Sequence, residues 1–283
     1  VVIDSRFKIG CLNYGEIIIK GSSKKEIFLS TYICHPTMAN DNLSGIAVTT
    51  FLAKWLSQQK NLNFSYRIIF IPETIGSINY LSKNLNKMKK NVYGGFNITC
   101  VGDNRCYSYL PSRNGNTISD KIAKHVLFYT DKNYIKYSWS DRGSDERQYC
   151  SPGVDLPIAS ILRSKFGKYK EYHTSMDTFK NVVTKKGLLN SYLVYTKAIE
   201  VFEKNTFIKA KFTCEPQLGK RNLYANIMTP TSFANYNKKI MNILTWSDGK
   251  KTLLDIAEIT NTPIWEYYNI IETLKKHNLI SII

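Results

Sequence analysis

The fold of this chain is decided by the stretch Cys34-His35-Pro36-Thr37-Met38-Ala39-Asn40-Asp41-Asn42-Leu43-Ser44-Gly45. An apolar, β-branched run over 26–34 leads into it and predicts a buried strand. Beyond this stretch, apolar residues recur at helical spacing and predict a helix over 44–58. His35 therefore lies at the carboxyl end of a strand, and Asp41 lies just before a helix. In open α/β sheets this crevice is where ligands bind.

The same order of strand and helix continues along the chain. Further strands are predicted over 66–71, 93–101 and 156–162, and further helices over 76–87, 119–129 and 184–204. Shorter strands are expected near the start of the chain, at 2–3, 11–12 and 16–19. Strands that alternate with helices are typical of a mainly parallel sheet with helices on both faces. We therefore predict an α/β domain over 1–204.

The pattern changes after residue 204. Residues 205–231 show no helical spacing and contain Pro216 and Gly219, so we expect a linker there. Three short helices are then predicted over 236–246, 252–260 and 263–277, followed by a strand over 278–283. Three helices with a β-element predict a small winged-helix-like domain over 232–283.

Composition limits the classes of protein to which the chain can belong. Its net charge of +17 favours acidic partners such as nucleic acid, an anionic glycan or a membrane surface, but no block of like charges marks a binding arm. No apolar run is long enough for a membrane span. The six cysteines form no CxxC pair and indicate a reduced, cytoplasmic protein. Because the first residue is not Met, we expect a fragment of a longer protein.

Groups that can bind a metal follow several predicted strands. They are His35 with Asp41, then Glu73, Asp103 and His173. Each has an ordinary explanation by itself, such as a helix cap, a turn residue or a packed loop histidine. Together, at the carboxyl ends of successive strands, they indicate a metallohydrolase, in which imidazole and carboxylate ligands leave one metal position open for water. A nearby carboxylate would then act as the general base.

These motifs resemble those of the zinc aminopeptidases with a phosphorylase/hydrolase-like fold. The resemblance rests on His35…Asp41-Asn42-Leu43-Ser44-Gly45, Pro72-Glu73, Ser144-Asp145…Pro152-Gly153-Val154-Asp155-Leu156-Pro157 and Tyr172-His173-Thr174…Asp177-Thr178. Within that class the chain is most similar to a bacterial aminopeptidase-like group with a C-terminal winged helix, whose members are often linked with surface-polysaccharide biosynthesis. The resemblance implies a zinc-dependent aminopeptidase or related amidohydrolase that acts on a small peptide or amino-acyl substrate.

The resemblance also implies a role for each matching residue. His35 and His173 correspond to metal-binding histidines, and Asp41 corresponds to the aspartate that bridges two ions. Glu73 corresponds to the general base.

Three carboxylate positions of the two-metal pattern hold threonine in this chain, at Thr37, Thr74 and Thr99. Asp103 or Glu146 would have to replace a missing ligand for a second ion to bind. Our preferred interpretation is therefore one zinc ion held by His35, Asp41 and His173, and two zinc ions are the alternative. The missing carboxylates also motivate an alternative, a catalytically inactive binding or regulatory protein that keeps the peptidase fold.

A charge-dense loop before the last predicted central strand supplies candidates for substrate binding. Arg142 or Arg147 would place a guanidinium against a substrate carboxylate, an arrangement that orients the substrate well. Glu146 lies in the same loop, and Tyr172 is expected to line the pocket. The alternative for this loop is a solvated surface.

The C-terminal domain carries nearly balanced charges. Its predicted third helix begins Pro263-Ile264-Trp265, which is apolar and aromatic, whereas a helix that reads DNA is usually basic. We therefore expect a protein partner or a homo-oligomer contact through this domain. Nucleic-acid binding through the winged helix is the alternative.

Overall fold

The computed structural model describes residues 1–221, 223 and 230–283, and for 230–234 only the helix to which they belong. The chain forms two compact units, Val1–Thr196 and Lys197–Ile283. The sequence places the corresponding boundary after residue 204. Part of the expected linker over 205–231 has regular structure. Phe207–Ala210 pairs as a strand in the sheet of the second unit.

The first unit is built on a seven-stranded sheet. Its strands are β1 Gly15–Ile19, β2 Glu26–Tyr32, β3 Ser65–Ile71, β4 Val92–Asn97, β5 Ser108–Leu110, β6 Ile135–Lys136 and β7 Ile158–Leu162, in the order β1-β3-β2-β4-β7-β5-β6. The four central strands β3, β2, β4 and β7 are parallel, whereas β1 runs antiparallel to β3 and β5 runs antiparallel to β7 and parallel to β6. The predicted α/β fold with a mainly parallel sheet is confirmed.

Helices alternate with the central strands. They are α1 Ser44–Ser57, α2 Ile75–Asn91, α3 Ile118–Thr130, α4 Glu146–Tyr149 and α5 Lys185–Lys204, with an irregular turn at Ala39–Leu43 and a 3₁₀ turn at Trp139–Asp141. Apolar spacing predicts all of these helices except α4, which lies in the stretch expected to be a loop. α3 begins at a capping box, in which Thr117 and Asp120 satisfy each other's backbone N–H groups. Residues 1–14 belong to no strand, so the strands expected at 2–3 and 11–12 are absent; Val2 and Ile3 are exposed and have no strand beside them.

The strand predicted over 93–101 ends at Asn97. The N–H of Ile98 still donates to Ser30 of β2 at 2.7 Å, but the chain beyond it turns to a different set of acceptors. The N–H groups of residues 100–102 donate to side chains of the loop that follows β2. The acceptors are Asn40, Asn42 and Ser44, at 2.8–3.3 Å. These bonds fix the loop that carries Asp41 against the carboxyl end of the sheet.

The close approach of the two central strands requires a glycine. A Cβ at Gly95 in β4 would lie 1.9 Å from the carbonyl oxygen of Phe28 in β2. Any side chain at this position would therefore separate β2 from β4.

The second unit combines a three-stranded antiparallel sheet with short helices. The strands are β8 Phe207–Ala210, β9 Asp248–Thr252 and β10 Ile280–Ile282, in the order β10-β8-β9, and the helices are α6 Pro230–Trp246, α7 Leu253–Ile259 and α8 Tyr268–Lys276. Short 3₁₀ turns lie at Gly219–Arg221 and Ile264–Glu266, so the helix expected over 263–277 begins only at Tyr268. Among the described helices, none has both the length and the apolar character that a membrane span requires.

Candidate metal centre

Three of the predicted ligands come together at the carboxyl end of the parallel strands. The carboxylate Oδ2 of Asp41 lies 3.2 Å from Nε2 of His173 and 3.9 Å from Nε2 of His35. Asp41 is buried, whereas the side chains of His35 and His173 are 39% and 48% exposed. Within the described part of the chain, this is the one group of three or more His, Cys, Asp or Glu side chains spaced to share a metal ion.

The two histidines come from opposite ends of the sequence of the first unit. His35 follows β2, and His173 lies in the long loop after β7. Their rings meet edge to face, with centroids 4.6 Å apart. The backbone of His173 has a φ of +54°, a strained conformation of the kind that concentrates at functional sites. The ring of Tyr172 stacks on His173 with centroids 3.9 Å apart and so holds the imidazole from behind.

Asp177 holds the loop that carries Asp41. Its buried carboxylate accepts hydrogen bonds from the N–H of Asn40 at 2.8 Å and from the N–H of Asp41 at 3.1 Å. The hydroxyl of Tyr169 donates to the same carboxylate at 3.0 Å. Sequence reasoning gave Asp177 no role, although it lies in the same short motif as His173.

One carboxylate oxygen of Asp41 already accepts a hydrogen bond from within the protein, and the other oxygen faces the histidines. The hydroxyl of Tyr32 donates to Oδ1 of Asp41 and also lies 2.6 Å from the hydroxyl of Thr99. Burial raises the pKa of Asp41, and the hydrogen bond from Tyr32 partly opposes that shift. Tyr32 gave no functional signal in the sequence, because a tyrosine in a strand is ordinary core.

Glu73 follows β3 and lies near the cluster. Burial raises the pKa of its carboxyl group; a hydrogen bond from the hydroxyl of Ser144 at 2.8 Å lowers it, and nearby Asp41 raises it further. A half-buried carboxylate next to a potential metal site has the chemistry of a general base. Ser144 orients this carboxylate; the sequence analysis places it in a motif but gives it no role.

Asp103 lies outside the cluster, which corrects its prediction as a metal ligand. Its two carboxylate oxygens accept hydrogen bonds from the N–H of Arg105 and from both the hydroxyl and the N–H of Ser164, at 2.8–3.0 Å. The carboxylate is therefore used to shape the turns after β4 and β7.

Glu146 also lies outside the cluster. Its Oε1 accepts the N–H groups of Gly143 and Ser144 at 2.7 and 2.9 Å, and its Oε2 accepts the side-chain amide of Asn97 at 3.1 Å. Glu146 is also not part of the group of side chains spaced to share a metal ion, so it is not placed to replace a missing ligand. Its hydrogen bonds fix the backbone of Ser144, whose hydroxyl donates to Glu73.

The predicted substrate-binding residues occupy different positions. Arg147 donates to the hydroxyl of Thr74 at 2.8 Å and lies close enough to Glu73 to lower its pKa. Tyr172 borders the centre through its stacking on His173. Arg142 instead packs over the ring of Trp139, 5.3 Å from its centroid.

The donor set and its spacing fit a zinc ion. Two imidazoles and one carboxylate are ligands that zinc takes, and bonds of about 2.0–2.1 Å in tetrahedral geometry separate ligand atoms by about 3.3 Å. The distance of 3.2 Å from His173 to Asp41 agrees with this spacing, and that of 3.9 Å from His35 needs only a small side-chain movement. Three protein ligands leave a fourth position open, as in catalytic zinc sites.

Two family models together match most of the chain. The model described as a domain of unknown function (DUF4910) matches residues 5–205, and one described as a winged helix-turn-helix matches residues 206–282. The predicted C-terminal winged helix is thereby confirmed. A Clostridium acetobutylicum protein, provisionally named a polysaccharide biosynthesis protein with an aminopeptidase-like domain, is 45% identical over 91% of this chain. The chain spans 58% of the length of that relative.

Solved structures share the fold. A crystal structure of a protein from Clostridium acetobutylicum, provisionally described as a peptidase, has a TM-score of 0.86 and 39% identity, covering 95% of this chain and 60% of its own. A zinc aminopeptidase from Bacillus subtilis has a TM-score of 0.54 and 17% identity, covering 67% of this chain and 48% of its own. The predicted likeness to the zinc aminopeptidase fold is confirmed.

Proposed function

The chain belongs to the family described as a domain of unknown function (DUF4910), and from this premise we propose that it is a zinc-dependent aminopeptidase or related amidohydrolase. The observation that carries the proposal is the cluster of His35, Asp41 and His173 at the carboxyl end of an aminopeptidase-like sheet. The raised pKa of the nearby Glu73 supports it further.

Each residue of the centre has a defined task. His35, Asp41 and His173 would hold one zinc ion, which supplies Lewis acidity towards a carbonyl oxygen and a water molecule. Glu73 takes a proton from the attacking water and returns it to the leaving amine, a step that is typically worth about 10²–10⁴-fold in rate. Ser144 keeps the carboxylate of Glu73 in one orientation by its hydrogen bond.

The proposed substrate is a small peptide or amino-acyl compound. Arg147 would pair with a carboxylate of the substrate, because its guanidinium lies beside Glu73 and is only partly occupied by Thr74. Tyr172 would line the pocket beside His173. The provisional name of the clostridial relative supports a substrate connected with polysaccharide biosynthesis.

A second candidate is a binding or regulatory protein without catalytic activity. Two of the three threonines that replace carboxylates are engaged in hydrogen bonds, Thr99 with Tyr32 and Thr74 with Arg147. Asp103 and Glu146 lie outside the group of ligands. These observations support a centre that acts with one ion or with none.

The test is the zinc content of the purified protein, measured by elemental analysis without chelators or added metal. We expect about one zinc per chain, the stoichiometry of a site with three protein ligands. His173→Ala should lose this zinc. His277→Ala is the matched control, because His277 is exposed in the second unit and should retain it. Absence of zinc after supplementation would favour the binding-protein candidate.

For the winged helix we propose contact with a protein partner or a second copy of the chain. Two aromatic side chains lie beneath lysines, Trp265 in the 3₁₀ turn before α8 under Lys197 at 4.8 Å and Tyr268 at the start of α8 under Lys204 at 4.3 Å. Such pairing takes these ammonium groups away from nucleic-acid phosphates. Titration with duplex DNA at low salt should show no binding to this unit, and salt-sensitive binding there would contradict the proposal.

A further inference from the structure

Three separate segments bring exposed lysines to one end of the first unit. One segment connects β1 with β2, and the others precede β3 and β4. We call this surface the basic end; it consists of Lys20, Lys24, Lys25, Lys60, Lys89 and Lys90.

The strand register places these segments side by side. Glu26 at the start of β2 is paired with Ser65 at the start of β3 and with Val92 at the start of β4. The last residue of β1, Ile19, is paired with Tyr66 and so ends at the same edge. Because neighbouring strands lie about 4.8 Å apart, four strands bring the lysines within about 15 Å of one another.

Direct contacts between the segments agree with this placement. The N–H of Ser22 donates to the carbonyl of Leu62 at 2.9 Å, which joins the segments before β2 and β3. The ammonium group of Lys25 donates to the carbonyl of Lys90 at 3.0 Å, which joins the segments before β2 and β4. The basic end is therefore one continuous surface.

The positive charge of the basic end is not neutralised by nearby carboxylates. Segments 20–25, 58–64 and 87–91 contain no Asp or Glu. Of the adjacent acids, Glu26 is buried and paired with Arg67 at 2.6 Å. Asp155, close to the Gly153 carbonyl that accepts a hydrogen bond from Lys89, is paired with Arg113 at 2.8 Å. In the part of the chain that the structure describes, none of the six lysines forms an ion pair.

Six ammonium groups at this spacing act together. The Debye length is about 10 Å at 0.1 M salt, so their fields overlap in front of the surface. Clusters of about four to eight lysines are the size that binds anionic lipid headgroups. We propose that the basic end docks the protein on an anionic membrane surface.

A membrane explains the surface better than a nucleic acid does. The basic end contains no arginine, the residue that suits bidentate phosphate recognition. α1 and α2 present their C-termini here, which disfavours the close phosphate contacts of nucleic-acid binding, whereas an anionic lipid surface attracts a lysine cluster without such contacts. The helix N-termini, which bind anions, lie at the opposite edge beside the metal centre. The basic end therefore presents a diffuse positive field without a specific phosphate site. The metal centre lies at the opposite edge of the sheet and so faces away from the proposed membrane.

The test is co-sedimentation of the whole chain with phosphatidylcholine vesicles that contain about one-third phosphatidylglycerol, at about 0.1 M salt. The test variant replaces four lysines of the basic end with glutamine, at Lys20, Lys24, Lys60 and Lys90. Each lysine near such a surface is worth about fivefold in binding, so the variant should bind more than about 100-fold more weakly. Pure phosphatidylcholine vesicles should bind neither protein.

A control variant removes the same charge from the other end of the parallel strands. It replaces the exposed residues Lys168, Lys180, Lys185 and Lys186 with glutamine. We expect it to bind the anionic vesicles within about threefold of the unmodified chain. An equal loss in both variants, no binding of the unmodified chain to anionic vesicles, or binding only to heparin or duplex DNA would overturn the proposal. Its outcome does not depend on the proposed hydrolysis.

Discussion

Glu73 is the residue on which the proposed chemistry depends. In Glu73→Gln the amide oxygen still accepts the hydrogen bond from Ser144, but the side chain can no longer take a proton. We expect hydrolysis to fall by about 10²–10⁴-fold in kcat/KM. Zinc content should not change, because Glu73 lies outside the group of ligands.

The measurement is kcat/KM on a panel of amino-acyl anilides, together with elemental analysis of the same samples. Glu272→Gln in α8 is the matched control, because Glu272 is exposed and belongs to the second unit. Unchanged turnover in Glu73→Gln would exclude it as the general base. Zinc-loaded protein without activity on any member of the panel would favour the binding-protein candidate.

Asp145 gives the protein a dependence of stability on pH. Burial raises the pKa of its carboxyl group to about 7, from an ordinary value of 3.8. Oδ1 accepts hydrogen bonds from the N–H of Thr74 and the hydroxyl of Ser77, both at 2.8 Å. Oδ2 is buried and has no hydrogen-bond partner among the described residues. The protonated form therefore suits the folded state better than the ionised form.

Because the carboxyl group of Asp145 has a higher pKa in the folded chain than in the unfolded chain, its protonated form stabilises the fold. This stabilisation is complete below about pH 4 and is lost as the pH rises towards 7. Asp145→Asn keeps the acceptor oxygen without an ionisable group. Relative to the unmodified chain, its free energy of unfolding should rise between these pH values, by at most about 4 kcal/mol. Urea unfolding of the metal-free proteins at several pH values checks this expectation. Parallel pH profiles for the two proteins would contradict it.

At the scale of single elements, the irregular turn Ala39–Leu43 shapes the metal centre. Asp177 holds it through the N–H groups of Asn40 and Asp41. In Asp177→Ala these donors lose their acceptor, so the carboxylate of Asp41 loses its fixed position. We expect zinc affinity to fall by about 10–100-fold, the usual cost of removing a residue that orients a metal ligand.

Competition with a chromogenic zinc chelator measures that affinity. Asp131→Ala is the control, since Asp131 also accepts a loop N–H, from Asn133 at 3.0 Å, but follows α3. Its zinc affinity should equal that of the unmodified chain. Equal affinities in all three proteins would show that the turn holds its shape without Asp177.

At the scale of the whole molecule, a buried ion network joins the edge strand to the sheet. Arg67 in β3 donates to both oxygens of Glu26 in β2, at 2.6 and 3.0 Å, and to Tyr80 of α2 at 2.8 Å. It also pairs with Glu16 of β1. Arg67→Met should lower the free energy of unfolding by about 3–5 kcal/mol, because Glu26 would remain buried without its partner.

Arg113→Met is the matched control for this network. Arg113 pairs with Asp155 at 2.8 Å, but both side chains are more than one-third exposed. The loss there should be about 0–1 kcal/mol. Urea unfolding monitored by far-UV circular dichroism compares the two variants. Similar losses would mean that the buried network does not stabilise the sheet more than a surface pair does.

The sequence by itself determined the order of strands and helices and the residues that follow each central strand. Apolar spacing is a local property, so β2, α1, β3 and α5 lie close to their predicted bounds. Parallel strands then bring their carboxyl ends to one edge, and this topology explains why His35 and Asp41 come together there.

Only the tertiary structure decided which carboxylates take part in the centre. Asp103 and Glu146 have suitable chemistry and suitable positions along the chain, but their oxygens accept hydrogen bonds from nearby turns. A carboxylate bonds to whichever donors the folded chain brings within reach, and some of those donors come from distant segments, such as Ser164 for Asp103 and Asn97 for Glu146. The basic end has the same origin, because its lysines are scattered in the sequence and meet only through strand register.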